Sequence, residues 1–321
     1  MIINFVGSFT TGYVRERSDE CHLADEMEAL GHVVRRIPRD EWREHVIRGE
    51  TYPNIPSDLT ADINIVAKWN GLGGGSIMSL RQASGAPVLY WVWDYMQGED
   101  WHMEMVKASD LYLSNDVFSG QYRGLQNCYY FPFDVSDKKI DKVDPYYKID
   151  AERDVAFFGS WIPQGDRQEW LQKINKEIPV EIFSWNYKEW PKEFKTHPPV
   201  YGKEFAETVR KTAICLGFNV HPSTWGYWSN RTGKTLTVGG FLLQQYAPGM
   251  ELFFRDAIEY FSSPDEAVEK IKYYIEHEYE REAVSDRGYR LGRERFTSEA
   301  RIQDLMILVE RYLKKGHIWL T

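Results

Sequence analysis

The stretch "NRTGKTLTVGGFLLQQ", Asn230 to Gln245, contains a helix-then-strand pattern that recurs along the rest of the chain. Its middle part, "TGKTLTVGG", predicts a short helix that ends at a glycine pair. The apolar run "FLLQQ" that follows at once predicts a buried strand. A helix that leads directly into a strand is typical of a parallel sheet covered by helices.

The same alternation extends over both halves of the chain. In the first half, strands are predicted at 2–7, 61–69, 86–94, 111–116 and 128–134, with helices at 21–32, 77–85 and 102–110. In the second half, strands are predicted at 154–160, 180–185, 213–220, 241–245 and 257–262, with helices at 167–175, 204–212, 232–240 and 263–280. A last helix has an apolar face of Leu305, Leu308, Val309 and Leu313. We therefore predict an α/β fold with two doubly wound, Rossmann-like domains.

The charge pattern divides the two predicted domains. Residues 135–154, "VSDKKIDKVDPYYKIDAERD", are densely charged and interrupt the alternation, which predicts a linker. The predicted domains are residues 1–134 on the acceptor side and residues 155–300, followed by a C-terminal helix at 301–321 that is expected to pack back on the first domain. Two such domains are expected to face each other across a cleft, because open parallel sheets bind ligands at the carboxyl ends of their strands.

Composition narrows the function classes. Of the 321 residues, 43% are hydrophobic and 27% charged, which is typical of a globular protein. No apolar run approaches the length of about 20 residues that a membrane helix needs. Three scattered cysteines and an N-terminus without a basic signal region favour a cytoplasmic location. The net charge of −9 disfavours broad attraction to nucleic acid or to anionic membranes.

The "GKT" of the opening stretch is similar to the end of an ATP-binding P-loop. That motif needs a glycine at position 228, where this chain has Trp228. A P-loop ATPase is therefore disfavoured. Arg231 and Lys234 stand one helical turn apart at the start of the predicted helix, which favours binding of phosphate by cations at a helix terminus.

Taken in order, these segments resemble the GT-B glycosyltransferases, and most of all their CgeB-like, group 1 branch. The resemblance is strongest over 230–304, in Arg231-Thr232, in "GGFLL" at 239–243, in "PGME" at 248–251, and in the long helical segments that follow. "DVAFFGSWIPQGDRQEWL" at 154–171 is similar to the family's opening of its second domain. "GAPVLYWVWD" at 85–94 and "CYYFPFD" at 128–134 are weaker matches in the first domain.

The resemblance implies transfer of a hexose or pentose from a nucleotide-sugar donor to an acceptor hydroxyl, with the donor as co-substrate and no cofactor. The charge of the diphosphate leaving group predicts that it is bound by Arg231, Lys234 and Arg167, and the resemblance adds Gly159 and Ser160. Many relatives carry a glutamate where this chain has Lys234, and that glutamate is expected to accept hydrogen bonds from the ribose hydroxyls. An ammonium group only donates hydrogen bonds, so this route to ribose recognition is altered here.

The candidate acid–base residues are carboxylates and one histidine. Asp94 follows a predicted strand, Asp19 and His22 stand near the start of a predicted helix, and Glu251 lies where the family contacts the transferred sugar. A retaining enzyme can leave the proton to the donor phosphate, and the resemblance favours retention. No D-x-D sequence occurs, so we expect no metal ion.

The acceptor is left open by the sequence. Trp185 and Trp190 alternate with lysines in "FSWNYKEWPKEFKTHPPVYGKEF", a pattern suited to stacking bases or sugars and equally typical of buried aromatics beside a charged surface. "NGLGGGS" at 70–76 lacks the last glycine of a dinucleotide fingerprint, so Gly73 and Gly74 are expected in an acceptor-side cleft loop. The acceptor is a glycan or a hydroxylated base in DNA. A non-catalytic protein that binds nucleotide sugars or glycans is the alternative from another class.

Overall fold

The fold was derived from a computed structural model of the chain. It describes residues 1–9, 19–49, 51–52, 54–67, 73–94, 96, 100–132, 140, 151–162 and 166–316. The chain divides into two compact units, Met1–Phe133 and Asp134–Thr321. In the described segments, no helix combines the length and the apolar character that crossing a bilayer requires.

The first unit is built on one parallel sheet of six strands in the order β2-β1-β3-β4-β5-β6. The strands are β1 Ile2–Gly7, β2 Val33–Pro38, β3 Ile63–Ala67, β4 Val88–Trp91, β5 Leu111–Ser114 and β6 Cys128–Tyr130. The helices are α1 Asp19–Ala29, α2 Arg39–Arg48, α3 Gly74–Ser84 and α4 Asp100–Ala108. Every residue of β3, β4 and β5 is buried, as expected for central strands that helices cover on both faces.

The second unit repeats this design with the strand order β12-β11-β10-β7-β8-β9, again with all pairs parallel. Its strands are β7 Arg153–Phe158, β8 Glu181–Phe183, β9 Lys195–His197, β10 Thr212–Gly217, β11 Leu242–Gln245 and β12 Glu259–Phe261. Its helices are α5 Arg167–Glu177, α6 Gly202–Arg210, α7 Arg231–Thr237, α8 Met250–Phe254, α9 Pro264–Glu276, α10 Glu278–Arg295 and α11 Ser298–Lys315. The prediction of two Rossmann-like α/β units is confirmed.

Four elements of the fold have no counterpart in the predictions: β2, α2, β9 and the five-residue helix α8. Strand β2 contains Arg35 and Arg36, and α2 buries only Trp42. Both lie at an edge of the first unit, where exposed positions replace the apolar pattern that identifies an element. Strand β9 is the equivalent edge strand of the second sheet and has only three residues, Lys195–His197.

The helix predicted over 263–280 is divided in the structure. Its start is as expected, since the Ser263 hydroxyl accepts a hydrogen bond from the Glu266 N–H at 3.2 Å and Pro264 is the first helical residue. The Glu266 carboxylate in turn accepts from the Ser262 N–H at 2.7 Å. Helix α9 ends at Glu276, and α10 begins after His277, whose ψ of 66° interrupts the helical backbone.

The predicted linker 135–154 lies outside the described residues except for 140 and 151–154, and β7 begins within it at Arg153. The packing of residues 301–321 on the first domain stays a prediction. All three cysteines are free thiols. Cys215 lies in the middle of β10 with 1% of its surface exposed, and burial raises the pKa of its thiol to about 12.

Candidate functional site

The strand order of the second unit determines where its site lies. Across the sheet, the strands are the sixth, fifth, fourth, first, second and third of this unit along the chain. The direction of winding therefore changes between β7 and β10. Ligands of doubly wound sheets bind at this switch point, outside the carboxyl ends of the strands. The loop after β7 and the loop after β10 both begin there.

The loop after β7 brings the backbone close to the sheet. The Gly159 N–H donates to the Phe183 carbonyl at 3.0 Å. A Cβ at Gly159 would lie 2.6 Å from Cζ of Phe157, so a larger residue could not follow this path without a shift of that ring. The next residue, Ser160, offers its carbonyl to the guanidinium of Arg167 at 2.8 Å.

Arg167 is a buried cation at the first position of α5. Only 2% of its surface is exposed, and its guanidinium lies 5.7 Å from the ring centre of Phe157. Burial and then the nearby charge of Arg231 lower the pKa of Arg167 to about 10, so the group stays protonated at neutral pH. Among the described residues, no carboxylate lies within 4.0 Å of it.

Arg231 and Lys234 lie on α7, which follows the loop after β10. The Lys234 N–H donates to the Asn230 carbonyl at 3.3 Å, so the two side chains stand one helical turn apart as predicted. Burial lowers the pKa of Arg231. The charge of the Tyr227 phenol raises the pKa of both arginines, so this phenol lies near them. Tyr227 was not predicted, because nothing in "WGYWSN" separates it from the aromatics on either side.

These elements enclose a pocket of about 230 Å³ within the second unit. Four residues predicted to bind the donor diphosphate line it: Gly159, Ser160, Arg231 and Lys234. Arg167 stands directly behind Ser160, to whose carbonyl it donates. The remaining lining residues are Ile140, Phe158, Phe183, Ser184, Trp185, Pro199, Val200, Tyr201, Gly202 and Phe205.

Aromatic side chains make up half of the pocket-lining residues between Phe183 and Phe205. Phe183 is stacked between Phe158, at 5.1 Å between ring centres, and His197, at 4.6 Å. Phe205 on α6 meets the edge of Phe158 at 5.2 Å. Because β8 and β9 lie on one side of β7 and β10 on the other, the aromatic wall and the α7 cations approach the pocket from opposite sides of β7.

The two tryptophans predicted for the acceptor have different positions. Trp185 lines the pocket together with Arg231, and 67% of its surface is exposed. Trp190 is 6% exposed and packs in the core of the second unit against Phe157, Trp161 and Phe194. The expectation of an acceptor groove at Trp190 is therefore corrected, since the ring is needed to fill the space beneath β7 and α5.

Glu251 is an exposed residue of α8, in the loop region after β11. Burial and then the Glu251 carboxylate raise the pKa of Tyr246, so this phenol lies near it. The backbone just before it is fixed, because the Gly226 N–H donates to the Pro248 carbonyl at 2.8 Å. The loops after β10 and β11 are thereby joined, and Glu251 is presented at the carboxyl edge of the second sheet.

The remaining candidates lie in the first unit. Asp94 follows β4 at the carboxyl edge of the first sheet and is half-buried. Asp19 is the first residue of α1, and His22 lies on the buried side of the same helix. The neighbouring Glu20 accepts a hydrogen bond from the Ser8 N–H at 3.4 Å.

Gly73 and Gly74 do not form the free loop that was predicted. Gly73 occupies the N-cap position of α3, and Gly74 is the first residue of that helix. A Cβ at Gly74 would lie 2.9 Å from the Glu104 carbonyl oxygen and 3.2 Å from Cβ of Ala108, so the glycine lets α3 and α4 pack closely. The glycine at position 74, which suggests a flexible loop in the sequence, is instead needed for the close contact of α3 with α4.

Comparisons with known proteins bear on the second unit first. Residues 167–307 match the family described as "Glycosyl transferase-like". The match covers less than half of the chain and lies within the second unit. It contains Arg167, Arg231, Lys234 and Glu251, and it ends within α11. A comparison with curated proteins found no match.

Solved structures resemble the chain over nearly its whole length. A DNA-modifying β-glucosyltransferase, studied with and without uridine diphosphoglucose, has a TM-score of 0.64 at 13% identity and covers 96% of this chain and 99% of its own. Sucrose-phosphate synthase from Thermosynechococcus elongatus has a TM-score of 0.65 at 10% identity, covering 98% and 99%. An α-glucosyltransferase in complex with UDP-glucose and DNA has a TM-score of 0.61 at 11% identity, covering 96% and 99%.

At these identities the likeness shows the fold, which is the two-domain Rossmann-like fold of GT-B glycosyltransferases. The match to the "Glycosyl transferase-like" family lies in the second of two such units. The finer assignment to the CgeB-like branch stays a prediction.

Proposed function

We propose that the pocket of the second unit binds a nucleotide-sugar donor and that the protein transfers the sugar to an acceptor hydroxyl. The observation that carries this proposal is the pairing, in one pocket, of an aromatic wall with Arg231 and Lys234. A nucleotide has the same two halves, since its base offers a flat apolar face and its diphosphate carries negative charge.

The charge of the leaving diphosphate grows as the sugar departs. Arg231 and Lys234 can neutralise that charge at the pocket surface, and preorganised cations of this kind lower the barrier without moving. Arg167 adds a third positive charge from behind Ser160 and fixes the loop that lines the pocket. We propose on this basis that the cations serve in place of a metal ion.

For the stereochemical course we propose retention, in which the donor phosphate takes the proton of the acceptor hydroxyl. Asp94 is the candidate base for the opposite, inverting course. The anomeric configuration of the product, read by NMR, separates the two: retention in the wild type would remove the need for a carboxylate base.

A saccharide is the acceptor that the charges favour. Residues 1–133, the unit proposed to carry the acceptor, contain 11 Lys and Arg against 18 Asp and Glu. A DNA backbone has one negative charge for every 1.7 Å or so of duplex, and proteins bind it by neutralising phosphates. The lysines around Trp185 are the feature that supports a hydroxylated DNA base, and the surrounding acidic charge opposes it.

Lys234 favours one competing function. Because it stands where relatives are expected to have a glutamate for the ribose, the chain is also a candidate for a protein that binds nucleotide sugars without catalysis. Release of nucleoside diphosphate from the bound donor distinguishes the two. A non-catalytic binder releases none, with or without acceptor.

The test of the proposal is a thermal-shift screen with UDP-, GDP-, ADP- and dTDP-sugars. A true donor raises the melting temperature by mass action, and Arg231→Ala is expected to weaken its binding by about 10- to 100-fold, the value of a charge-assisted hydrogen bond. Lys203→Ala is the matched control, because this lysine is adjacent to the pocket-lining Gly202 but is exposed and pairs with Glu207 at 3.6 Å. No stabilisation by any donor, or equal effects of the two variants, would contradict the proposal.

A further inference from the structure

The loops after β7 and β8 both contribute to the pocket of the second unit. Gly159 and Ser160 belong to the first loop, Ser184 and Trp185 belong to the second, and all four line the pocket. Because β7 and β8 are parallel neighbours, both loops begin at the same edge of the sheet. Beyond the strands, the side chain of Asn186 joins the two loops.

Asn186 is a buried amide, 5% exposed, whose hydrogen-bonding capacity is fully used. Its Oδ1 accepts from the Trp161 N–H at 3.1 Å and from the Ser184 hydroxyl at 2.6 Å. Its Nδ2 donates to the Trp161 carbonyl at 3.1 Å and to Glu189 Oε2 at 2.9 Å. An amide offers two acceptor sites on oxygen and two donors on nitrogen, so these four bonds are complete. We call Asn186 with Trp161, Ser184 and Glu189 the Asn186 clasp.

The clasp fixes the backbone of the loop after β7. It binds both the N–H and the carbonyl of Trp161, as a neighbouring strand would. The N–H belongs to the peptide group that joins Ser160 to Trp161, and the carbonyl of that same peptide group accepts from Arg167 at 2.8 Å. One peptide plane at the pocket wall is therefore held by Arg167 through its oxygen and by Asn186 through its nitrogen. The Trp161 ring is fixed as well, 4.8 Å from the ring centre of Trp190 in the core.

Trp185 lies inside the clasp, between Ser184 and Asn186. The hydrogen bond from the Ser184 hydroxyl to Asn186 spans it, and the Ser184 N–H donates to the His197 carbonyl at 3.1 Å. The backbone on both sides of Trp185 is thereby fixed, while 67% of the surface of Trp185 is exposed. An indole carried on a fixed backbone at a pocket wall is a preorganised apolar face for a flat ring.

We propose that Asn186 is a positioning residue of the donor pocket. It fixes the peptide group between Ser160 and Trp161 on one side of the donor, and it holds Trp185 where the indole stacks on the base of the nucleotide. The inference rests on the proposed function for the nature of the ligand, while the clasp rests on the hydrogen bonds alone. Because Asn186 is buried, it acts through the two loops and not by touching the donor.

The first arm of the test needs no ligand. In the full-length protein, Asn186→Ala is expected to raise the hydrogen-exchange rate of the Trp161 amide about ten-fold or more, because this N–H loses its acceptor. Asn175→Ala is the matched control. Asn175 also bridges two backbone groups, accepting from the Val180 N–H at 2.8 Å and donating to the Glu193 carbonyl at 3.0 Å, and it belongs to α5 outside the clasp. The control should leave Trp161 exchange unchanged.

A milder variant covers the case in which Asn186→Ala does not fold. Ser184→Ala removes the shortest of the four bonds, and it is expected to raise Trp161 exchange by about three-fold. Unchanged Trp161 exchange in the folded variant, or an equal rise in Asn175→Ala, overturns the proposal.

The second arm measures, by calorimetric titration, the affinity for whichever nucleotide sugar stabilises the protein. Trp185→Ala is expected to weaken binding about ten-fold, the value of a stacked base. Asn186→Ala is expected to weaken it by about as much although its side chain is buried. Asn175→Ala should lower the melting temperature with the affinity unchanged, which separates positioning from loss of stability.

The double variant Trp185→Ala/Asn186→Ala decides whether Asn186 acts through the indole. Its loss of affinity is expected to be smaller than the product of the two single losses, because a misplaced indole contributes little. Multiplying losses, unchanged affinity in Asn186→Ala, or an equal loss in Asn175→Ala overturn the proposal. If no nucleotide sugar binds the wild type, the proposed function fails together with the role of Trp185, and the exchange arm still decides whether the clasp fixes the loop.

Discussion

Arg167 illustrates how a single residue can be costly for stability and useful for a site. Only 2% of its surface is exposed, its neighbours are another arginine, a carbonyl and an aromatic ring, and no carboxylate lies within 4.0 Å of it among the described residues. Burial of an uncompensated charge opposes folding. A bound anion is the natural compensation for it.

Replacing that charge should therefore separate stability from binding. Arg167→Met is expected to raise the free energy of unfolding of the ligand-free protein by about 1 to 3 kcal/mol. The same variant should lose most of the thermal stabilisation that a nucleotide sugar gives to the wild type. Both are measured by denaturant and thermal unfolding with and without ligand. A variant that is less stable and binds normally would show that Arg167 is only a packing residue.

His102 makes the stability of the first unit sensitive to acid. Its pKa in the folded state is about 4, below its ordinary value of 6.5, because it is buried. Above pH 6.5 the ring is neutral in both states. Between pH 6.5 and 4 only the unfolded state takes up the proton, so the free energy of unfolding falls, by up to roughly 3 kcal/mol. The raised pKa of Asp116 acts in the opposite direction and offsets part of this loss.

His102→Gln should remove the acid sensitivity that comes from the ring. The expected result is a flatter dependence of the free energy of unfolding on pH between 6.5 and 4, measured by urea unfolding at several pH values. An unchanged slope would mean that other groups dominate. His22→Gln is a suitable control, since it removes a histidine from another helix, α1, and leaves His102 in place.

At the scale of elements, the position of α7 is set by α10. Two glycines of α10, Gly288 and Gly292, face α7. A Cβ at Gly292 would lie 2.6 Å from the backbone carbon of Leu236 and from the backbone nitrogen of Thr237. The helix that carries Arg231 and Lys234 is thus packed backbone to backbone against α10.

Gly292→Ala should therefore displace α7 together with its cations. We expect a loss of about 1 to 3 kcal/mol in the free energy of unfolding, the usual cost of overpacking, and weaker binding of the donor. Gly75→Ala is the control, because this helical glycine has no atom within 4 Å of the added Cβ and the change should stabilise the protein by up to about 1 kcal/mol. Calorimetric titration of both variants with the donor provides the measurement.

The elements that could be predicted from the sequence are those whose burial is nearly complete. The apolar runs of β3, β4, β7 and β10 identified them as central strands, and the "RTGK" of α7 identified its two cations. The aromatic wall could not be predicted, because Phe183, Tyr201 and Phe205 come together only through the order of β7, β8 and β9. The hydrophobic periodicity of a sequence does not indicate which strands become neighbours in the sheet.

At the scale of the whole molecule, the charge distribution bears on the acceptor. The chain carries a net charge of −9, and the deficit of basic residues is concentrated in residues 1–133. Duplex DNA, labelled for fluorescence anisotropy, is expected to bind no more tightly than about 10⁻⁴ M, with little change between 50 and 200 mM salt. Tight binding that falls steeply with salt would instead favour a DNA acceptor over a saccharide.

The buried thiol of Cys215 gives the second sheet an internal chemical reporter. Because the sulfur lies in the middle of β10, paired with Leu242 on one side and Ala156 on the other, a thiol reagent can reach it only when these strands separate. Its labelling rate thus measures spontaneous opening of the sheet under native conditions. A molecule that occupies the pocket at the edge of that sheet should slow the labelling, even before its identity is known.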